Sequence, residues 1–111
     1  MWIMVSGPYR SGAGDARRRA ANLRAINAAA LALFRAGHVP IVGVNLALPL
    51  IDAAGEGAYD EIMLPLSLAA AARCDACLRV GGASAGADRE LALFRASGKP
   101  VYVNIEDVPP A

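Results

Sequence analysis

A glycine-rich stretch that ends in an acidic residue has the clearest chemical potential in this sequence. Residues 80–90 read Val-Gly-Gly-Ala-Ser-Ala-Gly-Ala-Asp-Arg-Glu. The apolar run Ala76–Val80 comes before the glycines and is typical of a buried strand, and a helical pattern continues afterwards up to Gly98. A strand, a loop and a helix N-terminus in this order expose backbone N–H groups and the positive end of a helix dipole. Together these suit an anion such as a phosphate.

Glu90 is the residue of this stretch that could act as a nucleophile or a base. Ala87, Leu91 and Phe94 form the helix face that packs on the sheet, and Glu90 falls within about 50° of its centre. No basic residue lies three or four positions away to pair with it. Gly86, one turn earlier on the same face, leaves room for a ligand. An inward carboxylate here is a candidate nucleophile or base, and the alternative is a Glu at the edge of the face that only reaches water.

Length and composition indicate one small domain that covers residues 1–111, long enough to bury a core. The net charge of +1 gives no reason to expect a nucleic-acid polymer or an acidic membrane as a partner. No uninterrupted apolar run is long enough to span a bilayer, and the first residues lack the basic region of a signal peptide. We therefore expect a cytoplasmic protein.

Two cysteines, Cys74 and Cys77, form a C-x-x-C. A thioredoxin-like pair would sit at a helix N-terminus after a strand, whereas this pair lies at the end of a predicted helix and the start of a strand. A zinc site would need further ligands, and His38 is the one histidine of the sequence. We predict structural thiols, a structural His38, no metal and no cofactor.

Alternating strand and helix patterns predict an α/β sandwich with a parallel sheet and right-handed crossovers. Helices are expected from the N-cap Asp15 to Gly37, over Tyr59–Arg73, and from Ser84 to Gly98. A loop followed by a short helix is expected over 44–54. Strands are expected over Trp2–Ser6, His38–Gly43, Cys77–Val80 and Pro100–Asn104. The buried face of the first helix is expected to carry Leu23, Ile26, Ala30, Leu33 and Phe34.

Two breaker-rich loops, Gly7–Gly14 and Gly81–Gly86, each follow a predicted strand. Both therefore lie at the carboxyl edge of the sheet, where ligands bind near a change in strand order. If the first and third strands are neighbours, one crevice brings together Tyr9, Arg10, Ser84 and Glu90.

The chain resembles the nucleoside 2-deoxyribosyltransferase-like superfamily, and within it a small bacterial branch related to the nucleotide N-glycosidases. The resemblance spans nearly the whole chain in the right order. It is carried by Ser6-Gly7-Pro8-Tyr9-Arg10, Ala36-Gly37-His38, Arg73-Cys74-Asp75-Ala76, Ser84-x-Gly86-x-x-x-Glu90 and Gly98-Lys99-Pro100-Val101. It implies a three-layer flavodoxin-like (Rossmann-like) fold with four to five parallel strands in the order 2-1-3-4(-5). It also implies a homodimer or homotetramer that acts on a small-molecule nucleoside or nucleotide.

The resemblance implies a hydrolase or transferase that acts at the N-glycosidic bond. Glu90 takes the place of the family's nucleophile, which attacks C1′ of the sugar, and Tyr9 matches a Tyr that orients it. Arg10 matches a phosphate-contacting Arg, and Ser84 and Gly86 match the loop that holds the 5′-phosphate or 5′-hydroxyl. The residues expected to bind substrate or phosphate are Gly7, Arg10, Ser84 and Gly86.

One position departs from the pattern. The family usually has an Asp eight residues before the position of Asp75, and this chain has Ser67 there. A serine cannot protonate a leaving base near neutral pH. Asp60 or Glu61 could reach in from the start of the same helix, although their spacing does not match. Two functions therefore remain open: an N-glycosidase or deoxyribosyltransferase, and a non-catalytic nucleotide-binding or sensing module.

Two further enzyme classes fit less well. A cytokinin-type phosphoribohydrolase has its Glu six residues after the second glycine of the loop, whereas Glu90 follows Gly82 by eight. A magnesium-dependent pyrophosphatase would need carboxylates clustered on facing helices. The carboxylates in question are scattered around a glycine break: Asp52, Glu56, Asp60 and Glu61.

Overall fold

The chain forms a four-stranded parallel sheet flanked by helices. The computed structural model describes residues 1–10 and 15–111, with the side chain of Glu56 left out, so part of the predicted Gly7–Gly14 loop lies outside the described residues. The strands are β1 (Trp2–Ser6), β2 (Val39–Ile41), β3 (Ala76–Arg79) and β4 (Val101–Tyr102). The helices are α1 (Ala16–Arg35), α2 (Gly43–Ala54), α3 (Tyr59–Ala71) and α4 (Ala85–Ala96), with short 3₁₀ turns over Glu56–Ala58 and Ile105–Asp107.

The strand order is β2-β1-β3-β4, and every pairing is parallel. This confirms the predicted α/β fold and its flavodoxin-like, three-layer arrangement. The chain moves from β1 outward to β2, then returns across β1 to β3 and continues to β4. The switch in direction therefore falls between β1 and β3, where parallel α/β sheets bind ligands.

Alternate residues of the two central strands point into two separate cores, as the two-residue period of a strand requires. Ile3 and Val5 of β1 pack with α1, whereas Met4 packs on the other face with Phe94 of α4. On β3, Leu78 belongs to the first core and Cys77 to the second. The sheet is thus buried on both faces, which is why its central strands read as continuous apolar runs.

The residues that begin and end α1 follow local rules that the sequence makes visible. The Asp15 side chain accepts a 2.8 Å hydrogen bond from the N–H of Arg18, which confirms it as the N-cap of α1. The chain leaves α1 through Gly37, whose φ of 92° is the left-handed conformation that favours glycine after a helix.

Two sequence-based expectations were wrong in detail. Residues 44–54 are not a loop plus a short helix, because α2 is continuous from Gly43 and includes Pro49. Ala47 and Ile51 are buried, one turn apart on the same face, and this burial outweighs the backbone hydrogen bond that a proline removes. Phe34 is 65 % exposed, because it lies at the edge of the buried face in the last turn of α1.

The two cysteines and the histidine are buried. Cys74 and Cys77 are free thiols, and burial raises the pKa of Cys77 to about 12. The Nδ1 of His38 lies 3.0 Å from the amino group of Met1, and its Nε2 lies 2.8 Å from the carbonyl of Pro109. Among the described residues, no three His, Cys, Asp or Glu side chains are grouped so that they could hold a metal ion. None of the described helices is both long and apolar enough to cross a bilayer.

Candidate functional site

A pocket of about 210 Å³ lies at the carboxyl edge of the sheet, where the loops after β1 and β3 meet α3 and the start of α4. It brings together every site residue that the sequence suggested: Gly7, Tyr9, Arg10, Ser67, Ser84, Gly86 and Glu90. Their convergence follows from the pairing of β1 with β3, in which Ser6 lies opposite Arg79.

Two glycines allow the loops after β1 and β3 to touch. A Cβ at Gly7 would lie 2.9 Å from both Cγ2 and the carbonyl oxygen of Val80, closer than real Cβ atoms approach. Gly81 has a φ of 75°, and a Cβ there would lie 2.8 Å from Cδ of Pro8. Gly7 therefore contributes to the site mainly by bringing the backbones of the two loops together.

Arg79 fixes the loop that follows its own strand. Its guanidinium donates hydrogen bonds to the carbonyl of Val80 and, at 2.7 Å, to that of Gly82. It also lies 3.5 Å from a carboxylate oxygen of Asp88 on α4. The Arg79 side chain is largely buried, while that of Asp88 is exposed. These bonds tie the glycine loop to both the strand before it and the helix after it.

Ser84 begins α4 and sets the direction of its first turn. Its side-chain oxygen accepts a 3.2 Å hydrogen bond from the N–H of Ala87, and its backbone is extended, as an N-cap requires. The N–H groups of Ala85 and Gly86, in the first turn, have no acceptor within the helix. Gly86 lines the pocket, and no atom lies within 4 Å of where its Cβ would be. An anion can therefore approach this end of the helix closely.

Glu90 is a half-buried carboxylate one turn further along α4. Burial raises its pKa to about 7, while a hydrogen bond from Ser6 and the positive charge of Arg79 act in the opposite direction. The Ser6 hydroxyl lies 3.4 Å from Oε1 of Glu90 and 3.4 Å from the carbonyl of Ala87, so its one proton is shared between two acceptors. Near neutral pH the charged and neutral forms of Glu90 are both populated.

The two tyrosines of the pocket have different neighbours. Asn22 of α1 donates a 2.9 Å hydrogen bond to the carbonyl of Tyr9 and so holds the loop after β1. Among the hydrogen bonds of the described residues, none joins Tyr9 to Glu90; Ser6 is the side chain that contacts this carboxylate. Tyr59, at the start of α3, has Arg10 stacked over its ring with Cζ 3.9 Å from the centroid. Burial raises the pKa of Tyr59, although the nearby Arg10 lowers it.

Ser67 is a buried hydroxyl-bearing residue of α3, 3 % exposed, that lines the pocket. Its side chain packs on Gly43 at the start of α2, where a Cβ would overlap Oγ of Ser67 and lie 2.8 Å from its Cβ. Asp60 and Glu61 are exposed and do not line the pocket. Of the residues that the structure describes, Glu90 is the one carboxylate in the lining.

Sequence reasoning missed several residues of the site. Tyr59 and Met63 line the pocket with Ser67, and the spacing of four between them places all three on one face of α3. That spacing was a usable signal once Ser67 had been singled out. The signal for Ser6 was weaker: it is the last residue of β1 and therefore lies at the carboxyl edge of the sheet. Val44 and Ala87 complete the lining.

The fold and the pocket define an α/β, flavodoxin-like protein with a concave site at the switch in strand order. No protein-family model, curated protein or solved structure matches the chain significantly.

Proposed function

We propose that the protein binds a nucleoside or nucleotide in this pocket and cleaves or transfers its N-glycosidic bond, with Glu90 as the nucleophile. The observation that carries this proposal is the half-buried Glu90 carboxylate, one turn from the open N-terminus of α4. A helix N-terminus suits the 5′-phosphate or 5′-hydroxyl, and a carboxylate beside it can reach the sugar. The motifs shared with the nucleoside 2-deoxyribosyltransferase-like superfamily support the same assignment.

The proposed reaction has two steps. The charged form of Glu90 attacks C1′ of the sugar, the C1′–N bond breaks, the base departs with the electron pair of that bond, and a glycosyl ester forms on the carboxylate. Water or a second base then attacks C1′ and releases Glu90, which gives hydrolysis or transfer. Ser6 donates a hydrogen bond to Oε1 and so contributes to the orientation of the nucleophile. Arg10 stacks on Tyr59 at the pocket, and we assign to its guanidinium the contact with a phosphate.

The proposal includes an assembly and a compartment. The alanine-rich segment 66–72 of α3 and the turn after it exposes Ala69 and Ala72, whereas Ser67 and Ala71 face inward. Small exposed residues allow close packing of a second copy, and we propose a cytoplasmic homodimer or homotetramer. Light scattering of the purified chain would test the assembly.

A second candidate function is a module that binds or senses a nucleotide without cleaving it. Ser67 lines the pocket and favours this alternative, because the superfamily that the chain resembles usually has an acid at this position. The pKa of about 7 for Glu90 also leaves a large fraction of the carboxyl neutral, and therefore not nucleophilic, at neutral pH.

The deciding experiment is a base-release assay. The protein is incubated with ribo- and deoxynucleosides and their 5′-monophosphates, and free base is followed by chromatography. We expect release that Glu90→Gln abolishes and Glu61→Gln, an exposed control with the same chemical change, leaves intact. Release that persists in Glu90→Gln would refute the nucleophile. No release, together with a melting temperature raised by a monophosphate, would establish the binding module.

A further inference from the structure

We propose that the base cleaved at this site is cationic in the substrate, as in a pyridinium riboside or an N7-alkylated purine riboside. This inference rests on the proposed function and deepens it by naming the substrate class. It is carried by the pocket lining, in which Glu90 is accompanied by the Arg10 guanidinium and by hydroxyl and apolar groups, and by no second carboxylate among the described side chains.

The charge of the base decides whether the reaction needs an acid. A neutral base leaves with the electron pair of the C1′–N bond and becomes an anion unless a proton reaches it. Enzymes supply that proton from a positioned acid whose pKa lies near the working pH. A cationic base takes up the same electron pair and leaves as a neutral molecule, so no proton is required.

The group that stands in the acid's place is Ser67. Its side chain is almost completely buried and lines the pocket. A serine hydroxyl can donate a hydrogen bond to a bound base, but it does not give up a proton near neutral pH. Its neighbour on the same helix face is Met63, an apolar side chain that also lines the pocket. This part of the lining can hold a flat ring without protonating it.

The phenol of Tyr59, on the same helix face as Met63 and Ser67, does not replace the acid. Tyr59 is half-buried, and burial raises the pKa of its phenol, which makes it a weaker acid than an exposed tyrosine. Arg10 lies over its ring and keeps a permanent positive charge there. Tyr59 therefore offers a neutral phenol to the ligand and retains its own proton.

A cationic base also matches the charge behaviour of Glu90. A positive charge within a few ångströms favours the ionised carboxyl and lowers its pKa from about 7. Binding of such a substrate would thus increase the charged, nucleophilic fraction of Glu90. A neutral base provides no such effect.

The atoms and charges balance without a further reactant. Glu90 forms a bond to C1′ as the C1′–N bond breaks. The electron pair of the C1′–N bond moves to the ring nitrogen and neutralises the ring. Water then attacks C1′, the C1′–O bond to Glu90 breaks, and the carboxylate is regenerated. The products are the free sugar phosphate, the neutral base and one proton released to solvent.

The test compares matched 5′-monophosphates with the unmodified chain. One pair is nicotinamide ribotide and uridine monophosphate; the other is 7-methylguanosine monophosphate and guanosine monophosphate. We expect kcat/KM for release of the cationic base to exceed that of its neutral partner by at least about 100-fold, the smallest usual contribution of a general acid. Glu90→Gln should abolish both activities.

The outcomes separate this inference from the proposed function. Release of the neutral base within 100-fold of its cationic partner, still dependent on Glu90, would overturn the substrate class and leave the glycosidase proposal standing. Release from none of the four compounds would overturn the substrate class, and release from none of the ribo- and deoxynucleosides and monophosphates of the first assay would overturn the glycosidase proposal as well. A second readout uses the acid limb of the pH profile for the pyridinium substrate. That limb should lie at lower pH for kcat than for kcat/KM, because the bound cation lowers the pKa of Glu90; an unchanged limb would contradict the charge argument.

Discussion

The hydroxyl of Ser6 donates a 3.4 Å hydrogen bond to Oε1 of Glu90, and so joins the end of the first strand to the helix after the third. The bond is long for an O–H···O contact, and the same proton is also shared with the carbonyl of Ala87. Its effect is to lower a pKa that burial raises. Among the described residues, Ser6 is thus the side chain that hydrogen-bonds this carboxyl and favours its charged form.

Replacing Ser6 by Ala should raise the pKa of Glu90 above about 7, because burial remains while the hydrogen bond is lost. If the charged form is the nucleophile, the acid limb of the kcat/KM profile moves to higher pH. The long bond limits the shift to less than about one pH unit. The measurement is base release from pH 5 to 9, with Ser97→Ala, an exposed serine at the far end of α4, as control. A limb that stays in place would show that Ser6 does not act on Glu90.

The burial of Glu90 has a cost in stability at high pH. Its pKa rises from 4.5 in the unfolded chain to about 7 in the folded one, so between these values the folded state binds more protons. The free energy of unfolding should therefore fall as pH rises from 4.5 to 7, by no more than about 3 kcal/mol. Glu90→Gln removes this term, and we expect it to be more stable than the parent at pH 8 and similar to it at pH 5.

Urea unfolding at pH 5 and pH 8 tests this prediction. Glu61→Gln carries the same chemical change at an exposed position and should follow the parent at both pH values. If Glu90→Gln were less stable than the parent at pH 8, the buried charge would be stabilised by a contact that this structure does not contain.

The sequence predicted those features of the site that depend on local rules. Ser84 could be recognised because a helix that follows a glycine loop needs an N-cap, and Glu90 because its position on the helix follows from a fixed angle per residue. The carboxyl-edge location of the loop after β1 followed from the order of strands and helices. These inferences use neighbours within one or two turns, where backbone geometry is uniform.

Other features depend on contacts between segments far apart in the chain. The Ser6–Glu90 hydrogen bond joins residues 84 positions apart and exists because β1 and β3 pair in one register. Tyr59 reaches the pocket because α2 and α3 pack closely through Gly43 and Ser67. The pattern over 44–54 left that packing undecided, since Pro49 argued against the helix that burial stabilises. Side-chain pairing of this kind has no signature in a single sequence.

The stacking of Arg10 on Tyr59 predicts a graded loss of phosphate recognition. Arg10→Ala should reduce affinity for a 5′-monophosphate by about 10- to 100-fold and leave nucleoside affinity almost unchanged, because a charge-assisted hydrogen bond is lost. Tyr59→Ala leaves the charge but removes the ring that holds it, so a loss of a few fold is expected. Tyr59→Phe keeps the ring and should behave as the parent.

Binding of a matched nucleoside and monophosphate by calorimetry would measure these differences. Arg89→Ala, which removes an exposed arginine of α4, is the charge control. Equal losses for nucleoside and monophosphate in Arg10→Ala would mean that Arg10 supports the pocket and does not read the phosphate. An effect in Tyr59→Phe as large as in Tyr59→Ala would assign the role to the phenol instead of the ring.

Two glycines within helices should respond in opposite ways to the same methyl group. Gly43→Ala places a Cβ against Oγ, Cβ and Cα of Ser67, and a rotation of the serine hydroxyl relieves only the first contact. We expect a loss of about 1–3 kcal/mol in the free energy of unfolding, as for overpacked cores. At Gly86 nothing lies within 4 Å, so Ala should add about 0.4–1 kcal/mol of stability while weakening binding of a monophosphate at the helix N-terminus.

A double-mutant cycle separates overpacking from other effects of Gly43→Ala. Ser67→Gly removes the atoms that the new methyl group would meet most closely, so the double variant should recover part of the lost stability and show a coupling of about 0.5–3 kcal/mol. Simple additivity would mean that the helices separate to accept the methyl group. In that case the spacing of α2 and α3 would not be fixed. Contact with Gly43 would then not be what holds the Ser67 hydroxyl in the pocket, and Ser67 could move relative to Glu90.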